Sequence, residues 1–227
     1  MTAPANCCLF SYPDRALSAT FSTAGTPWLT ALPLDNLKNR LVSKLARSAG
    51  ITTAHTQFDM TIPANKVVQM IAILKHNASA PATVKLSFSN VAIGGYELHQ
   101  SAALPFWGDG TVPAEWAQDD FWGSAITNAK IAEYGWYPDF WYVLPAPLVH
   151  ATNPLYVRVE IVDTSNPAGY FQLGRCFTGP AKQPQVNMDY GAGGIWKQDA
   201  LKERSLGGVP QFAVLGQHRE FMGRLFV

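Results

Sequence analysis

Three carboxylates set among tryptophans are the residues of this sequence best suited to chemistry. Glu115, Asp119 and Asp120 lie close to Trp116 and Trp122. Paired carboxylates supply the acid and the base for glycoside cleavage, and aromatic faces stack against sugar rings. Asp119 and Asp120 are adjacent, however, so in an extended segment their side chains would point in opposite directions. We therefore predict that the protein is not an enzyme, and glycan hydrolysis through Glu115 with one of these aspartates is the weakest alternative.

The histidines, cysteines and glycines form no metal, redox or phosphate motif. The five histidines never fall at H-x-H or H-x-x-x-H spacing. Adjacent Cys7 and Cys8 lack the C-x-x-C spacing of zinc and redox sites, and with Cys176 they make an odd number that cannot all pair. The glycines of residues 191–194 lack the lysine of a phosphate-binding loop. We expect no metal, no cofactor, and a reduced protein assembled in the cytosol.

The composition limits the kinds of partner. Charged residues make up 15% of the chain, hydrophobic residues make up 48%, and the net charge is +1. This balance offers no electrostatic footprint for nucleic acid or an anionic membrane, and it favours a chain covered by neighbouring subunits. The N-terminus has no basic region followed by a long apolar run, and no window approaches ~18 consecutive apolar residues. We predict neither a standard secretion signal nor membrane insertion.

Residues 101–150 differ from the rest of the chain, because they hold eleven aromatic residues interspersed with glycine, proline and acidic side chains. No clean period runs through them, apart from a short helix predicted around 124–134 and a strand predicted over 140–144. The aromatic residues fit a core, a carbohydrate platform or a protein interface rich in Trp and Tyr, and we favour interface and core over sugar binding. The candidate interface or glycan contacts are the tryptophans of this segment, Trp107, Trp116, Trp122, Trp136 and Trp141.

Alternation of apolar and polar residues predicts strands before residues 101–150. Residues 58–62 and 84–88 alternate apolar and polar side chains, and residues 67–74 are apolar on both parities, as in a strand covered on both faces. Three strands joined by short turns favour an antiparallel sandwich.

Residues 155–180 are predicted to form a β-hairpin that closes a sheet. In the first arm Val157, Val159 and Ile161 alternate with other residues, and in the second Phe171, Leu173 and Phe177 share one parity with Arg175 between them. The linking residues 163–169 are rich in Asx, proline and glycine. In this hairpin Arg175 would pair with Glu160 across the strands.

The remaining segments complete the predicted organisation. Leucines at 34, 37, 41 and 45 predict a helix over 33–48, and residues 209–215 predict a final strand after a polar segment at 197–205. We expect an all-β chain, an antiparallel jelly-roll β-sandwich with a long aromatic-rich insertion and extended terminal arms. The arm covers residues 1–35, the sandwich domain covers 36–215 with its insertion at 101–150, and the C-terminal tail covers 216–227.

Two blocks of sequence carry a family resemblance. The first comprises residues 34–37, 45–48, 56–59, 68–74, 76–77 and 82–87, and the second comprises 156–161, 166–170, 173–175, 179–181, 187–191 and 205–208. Together they resemble the tail and baseplate structural proteins of tailed bacteriophages that contain a discoidin-like, galactose-binding-type β-sandwich. The resemblance leaves out the N-terminal arm and the aromatic insertion.

The resemblance implies a role as well as a fold. It implies a structural subunit of a virion, assembled in the host cytoplasm at the tail tip or baseplate. Its partners would be other virion proteins and copies of itself, contacted through the insertion and the arms. Members of this fold elsewhere bind glycans through loops at one end of the sandwich. The alternative function is therefore a carbohydrate-binding adhesin module that contacts host surface glycans.

Overall fold

The computed structural model describes residues 9–107, 127–134, 139–144, 153–182, 193–204 and 210–222. Over these residues the chain consists mostly of antiparallel strands, with few and short helices, which confirms the all-β prediction. The described residues divide into two compact units. The first covers residues 11–181, and the second contains Phe10 and the residues from Lys182 onward.

The first unit contains a six-stranded antiparallel sheet. Its strands lie in the order β1-β3-β9-β5-β6, and β7 also pairs with β5. The strand bounds are β1 Thr20–Thr23, β3 Phe58–Thr61, β5 Thr83–Ser89, β6 His99–Gln100, β7 Leu104–Pro105 and β9 Tyr156–Val162.

A four-stranded antiparallel sheet completes this unit, in the order β2-β10-β4-β8. Its strands are β2 Ala46–Arg47, β4 Met70–His76, β8 Asp139–Val143 and β10 Gln172–Gly179. Two short α-helices accompany the sheets, α1 at Thr53–Thr56 and α2 at Asn128–Tyr134. The helix α2 and the strand β8 lie where the sequence predicts a helix and a strand inside the aromatic segment.

One hydrophobic core lies between the two sheets. Alternate residues of β9, Val157, Val159 and Ile161, are fully buried, and burial of each contributes roughly 1.5–3 kcal/mol relative to exposure. The sheets meet where Cys176 Sγ of β10 lies 3.6 Å from Met60 Sδ of β3. The apolar alternation of the strands therefore positions both sheets against the same interior.

The prediction of a hairpin over residues 155–180 is wrong, because β9 and β10 lie in different sheets. Strand β9 pairs with β3 and β5, whereas β10 pairs with β2 and β4. Alternation shows which face of a strand is buried but not which strand lies beside it. Consequently Arg175 does not pair with Glu160. Its Nη2 lies 2.6 Å from Asp14 Oδ2 instead.

The predicted helix over residues 33–48 is also wrong. The segment forms a short 3₁₀ helix, Leu34–Lys38, and then reaches the strand β2. Asn36 Nδ2 donates to the Leu45 carbonyl oxygen at 2.8 Å and so folds the chain back on itself. Leu34 and Leu37 enter the core, but Leu41 is 60% exposed, so the four leucines do not share one buried stripe.

Residues 11–35 of the predicted N-terminal arm belong to the first compact unit. Strand β1 pairs with β3. The ring centroid of Phe58 lies 6.0 Å from that of Phe21 and 5.9 Å from that of Trp28. These large apolar side chains bury themselves in the core, which fixes residues 11–35 as part of the fold rather than as a projecting arm.

The second unit contains a two-stranded antiparallel ribbon. Its strands are β11, Gly193–Arg204, and β12, Pro210–Met222, with a register shift between Asp199 and Ala200. Strand β11 covers most of the polar segment at 197–205, for which the sequence predicts no strand. Strand β12 continues through the boundary predicted at 215, so the described residues of the predicted C-terminal tail are strand.

Candidate functional site

Two of the five candidate tryptophans lie in the described part of the chain, and they have different surroundings. Trp107 is partly buried against the core, whereas Trp141 is 58% exposed. Trp116, Trp122 and Trp136 lie outside the described residues, as do Glu115, Asp119 and Asp120. The geometry of the candidate site is therefore the geometry around Trp107 and Trp141.

Trp141 lies on the outer face of the four-stranded sheet. Its neighbour in β8, Phe140, points into the core and is 5% exposed, so the alternation of the strand turns Trp141 outward. Across the sheet Trp141 is paired with Ala72, and Ala72 is paired with Phe177. One row across three strands thus places an alanine between two aromatic positions.

The neighbouring row extends this apolar surface. Met70 of β4 is paired with Val143 on one side and with Gly179 on the other. We call the outward residues of these two rows the β8 face: Met70, Ala72, Trp141, Val143 and Phe177. Among the described strands β8 pairs only with β4, so the β8 face extends to the edge of its sheet.

Charged groups border the β8 face at one end and are already engaged. The next row pairs Leu74 with Arg175 and with Asp139. Arg175 binds Asp14, and Asp139 Oδ1 accepts the Lys75 backbone N–H at 3.2 Å. At this end the cation of Arg175 is therefore paired, while the Asp139 carboxylate is held by a backbone N–H and stays exposed beside the apolar rows.

A hydrogen bond between the two sheets fixes β8 in place. Tyr142, next to Trp141, bonds through its hydroxyl to His99 Nε2 of β6 at 2.7 Å, and their rings are stacked with centroids 6.1 Å apart. Partial burial lowers the pKa of His99 and raises the pKa of Tyr142. This contact holds the edge strand rigidly, so Trp141 is presented at a defined position.

Trp107 is anchored to the interior instead of being presented to a partner. Its Nε1 donates to the Ala78 carbonyl oxygen at 3.0 Å, and its ring packs edge-on against His76, with centroids 4.8 Å apart. His76 also packs edge-on against Phe106, with ring centroids 4.5 Å apart. His76 Nδ1 accepts the Ala78 N–H, and burial lowers the pKa of His76 to about 3. These contacts make Trp107 mainly a core residue.

A buried polar network beside Trp107 was not predicted from the sequence. Asp163 is 2% exposed, accepts hydrogen bonds from the backbone N–H and hydroxyl of Ser79, and accepts the Asn166 amide at 2.8 Å. Asn166 also donates to the Asn77 carbonyl oxygen. The signal in the sequence is the Asx-rich link at 163–169. Its side chains bind the loop between β4 and β5 and so direct the chain from one sheet to the other.

Near this network, Arg47 is held against Tyr170. The guanidinium carbon lies 4.0 Å from the ring centroid, and Nη2 donates to Gln172 Oε1 at 2.8 Å. Stacking and hydrogen bonding both orient Arg47, which is a structural use of an arginine at a sheet edge.

The opposite end of the β5 strand carries an exposed apolar loop that the sequence analysis did not single out. Val91, Ile93 and Tyr96 are 70%, 52% and 64% exposed. Ser89 Oγ accepts the N–H groups of Val91 and Ala92, both at 3.1 Å, which orders the start of this loop. A short run of apolar residues followed by two glycines, at 91–95, is the sequence signal for this loop.

The described residues offer little catalytic chemistry. Among them no group of three or more His, Cys, Asp and Glu side chains is placed to hold a metal ion. Cys176 is fully buried, and burial raises the pKa of its thiol, which keeps it protonated and unreactive. The β8 face, with the exposed Trp141, is therefore the principal functional candidate in the part of the chain that is described.

No protein-family model matches the chain, and a search of curated proteins found no similar sequence. In the described segments, the helices are too short to cross a membrane.

Proposed function

We propose that this chain is a non-enzymatic structural subunit of a tailed-phage virion, placed at the tail tip or baseplate. The observation that carries the proposal is the β8 face, an apolar surface with an exposed tryptophan at the edge of a sheet. The low charge of the chain supports the same role, because a surface with few charges is suited to coverage by neighbours.

The finer fold assignment belongs to this proposal. Two antiparallel sheets with a shared core, and the consecutive strands β9 and β10 in different sheets, support a jelly-roll β-sandwich of the discoidin-like type. In this assignment the aromatic segment at 101–150 is an insertion, and β8 is the strand with which it returns to the four-stranded sheet.

The contribution of Trp141 to assembly follows from its exposed area. A tryptophan side chain buries 150–250 Å², so the 58% that is exposed leaves about 100–150 Å² to be covered by a partner. At ~25 cal/mol per Å² this burial contributes about 3 kcal/mol, from which the entropy cost of association is subtracted. An interface of this kind would depend strongly on one residue.

The test compares two exposed aromatic residues. Trp141→Ala is expected to abolish or strongly reduce incorporation of the subunit into particles. Tyr96→Ala, which truncates a comparably exposed ring on the loop after β5, is expected to leave incorporation unchanged. Electron microscopy of particles carrying a gold-labelled subunit then locates it. Label at the tail tip supports the proposal, and particles without label contradict it.

A second candidate is a carbohydrate-binding adhesin module, favoured by the same tryptophan. An exposed indole face beside the carboxylate of Asp139, two residues away on β8, is suited to stacking on a sugar ring. Titration with host envelope polysaccharide distinguishes the two functions. Binding that is lost in Trp141→Ala, Trp116→Ala or Trp122→Ala supports the adhesin, whereas no binding by the unaltered protein sets it aside.

A further inference from the structure

The β11–β12 ribbon leaves half of its backbone hydrogen-bonding capacity unused by described strands. Twelve residue pairs join β11 to β12, and among the described strands each pairs only with the other. In an antiparallel ladder alternate residues point their N–H and C=O groups away from the partner strand. Each strand therefore has an outer edge that runs over its full length of 12 or 13 residues.

A two-stranded ribbon of this length is not expected to stand alone. Isolated two-stranded sheets are marginally stable in water, and long unpaired edges are templates for another strand. Proline does not interrupt either edge within the strands, since the one proline of the two strands, Pro210, lies at the first position of β12. The register shift between Asp199 and Ala200 is a local irregularity that leaves pairing intact on both sides of it.

We propose that this ribbon pairs with the ribbon of a second copy of the chain, with β11 of one copy antiparallel to β12 of the next. This inference deepens the structural role proposed above and rests on it for its biological setting. The contact itself is argued from the backbone of the second unit.

The sequences of the two strands identify a second copy as the partner. Strands β11 and β12 already accept one another in a defined register, including the bulge at Leu215, which has no partner between Val214 and Gly216. In that register none of the twelve pairs sets two charged residues of like sign opposite each other. Repeating the register between copies keeps this property.

Length and charge agree with the same partner. The two outer edges differ by one residue in length, so each can cover the other almost completely. The net charge of +1 gives little long-range repulsion between copies. Pairing of β11 with β12 between copies is a head-to-tail contact, which generates closed rings or open filaments rather than dimers.

Disulfide trapping tests the contact. Gln198 and Gln217 are directly opposite in the ribbon, so Gln198→Cys and Gln217→Cys are introduced into separate full-length chains. Cys7 and Cys8 are replaced by serine in both, and buried Cys176 is kept. Under mild oxidation the mixture is expected to form disulfide-linked dimers on a non-reducing gel. Neither chain alone should do so, and a mixture of Gln198→Cys with Gln211→Cys, six residues out of register, should give less than a tenth as much.

A chain that carries both cysteines controls for folding of the ribbon. It is expected to close an internal disulfide, detected by a mass loss of about two hydrogens, since an antiparallel pair lies within disulfide reach. If the internal bond forms but the mixture gives no more dimer than the out-of-register control, the proposal is overturned. If the double-cysteine chain forms neither an internal bond nor a disulfide between copies, the register is wrong and the proposal fails with it.

The size of the unaltered protein in solution is an independent test of association between copies. Light scattering is expected to show species larger than a dimer that increase with concentration, and a monomer at all concentrations would overturn the proposal. Particle labelling with the gold-tagged subunit does not depend on either measurement. Failure of the ribbon contact and failure of the virion role can therefore be told apart.

Discussion

His76 is expected to make the protein less stable as the pH falls below about 6.5. Its ring packs against both Phe106 and Trp107, the residue is 5% exposed, and burial lowers its pKa from 6.5 to about 3. In the unfolded chain the ring binds a proton near pH 6.5, whereas in the folded protein it stays neutral. The unfolded state therefore gains protons first as the pH falls, and this favours unfolding.

The magnitude follows from the two pKa values. The effect is absent above the unfolded pKa of 6.5, grows as the pH falls, and levels off once the pH passes the folded pKa of about 3. At pH 4.5 the difference is about 2 pH units at 1.36 kcal/mol each, or about 2.7 kcal/mol. With a urea dependence of roughly 2–3 kcal/mol/M, this lowers the unfolding midpoint by about 1 M.

Urea unfolding followed by circular dichroism at pH 7.5 and pH 4.5 measures the effect. His76→Gln is the matched variant, because its side-chain oxygen can still accept the Ala78 N–H but cannot take up a proton in this range. Other titrating groups contribute equally to both proteins. The wild type is expected to lose about 2.7 kcal/mol more than the variant between the two pH values. Equal losses would refute the burial of a neutral histidine at this position.

Two further substitutions test the contacts that position the sheets. Asp163→Ala removes the acceptor at the centre of the buried polar network and is expected to lower the free energy of unfolding by about 3 kcal/mol in the same urea assay. The control is Thr164→Ala at an exposed neighbour, which should change the free energy of unfolding by less than about 0.5 kcal/mol. Arg175→Ala leaves the carboxylate of Asp14, 8% exposed, without its cation and is expected to cost about 2–3 kcal/mol. Lys38→Ala, which breaks an ion pair whose acidic partner is 68% exposed, should cost less than about 1 kcal/mol, and equal costs for the two would contradict the difference in burial.

The sequence predicted the strands that have a strong local signal. The segments around β3, β4 and β5 are strands because alternating or continuous apolar residues bury one or both faces of an extended chain. Burial depends on the residues of the strand itself, so it can be read locally. The helix over 33–48 failed for a related reason. Four leucines at helical spacing fit a buried stripe, but the core takes only Leu34 and Leu37.

Strand pairing could not be predicted in the same way. The link between β9 and β10 has turn-forming residues, and Gly169 adopts a φ of 73°, as a turn glycine does. The choice between a hairpin and a crossover to the other sheet depends on which residues the polar side chains of the link bind. Asp163 and Asn166 bind Ser79 and Asn77, more than eighty residues away in sequence. Contacts at that separation leave no periodic signal.

The candidate site was predicted by residue type, and the structure separates its described members by their neighbours. Trp107 and Trp141 have the same aromatic ring, but Trp107 donates to a backbone carbonyl in the interior while Trp141 alternates outward from buried Phe140. Only the parity of β8 and its place at the edge of a sheet distinguish them. Interface residues are exposed apolar groups on rigid supports, so pairing must be known before the interface can be found.

The β8 face of the first unit and the β11–β12 ribbon of the second offer two different kinds of contact for assembly. The β8 face offers side-chain burial centred on Trp141, and the ribbon offers backbone pairing along 12 residue pairs. Backbone pairing fixes register and direction between copies, whereas a small apolar face tolerates partners of different shape. A subunit with both can join its own copies through the ribbon and a different neighbour through the β8 face. Trp141→Ala should then leave disulfide trapping between Gln198→Cys and Gln217→Cys chains unchanged while it prevents incorporation into particles.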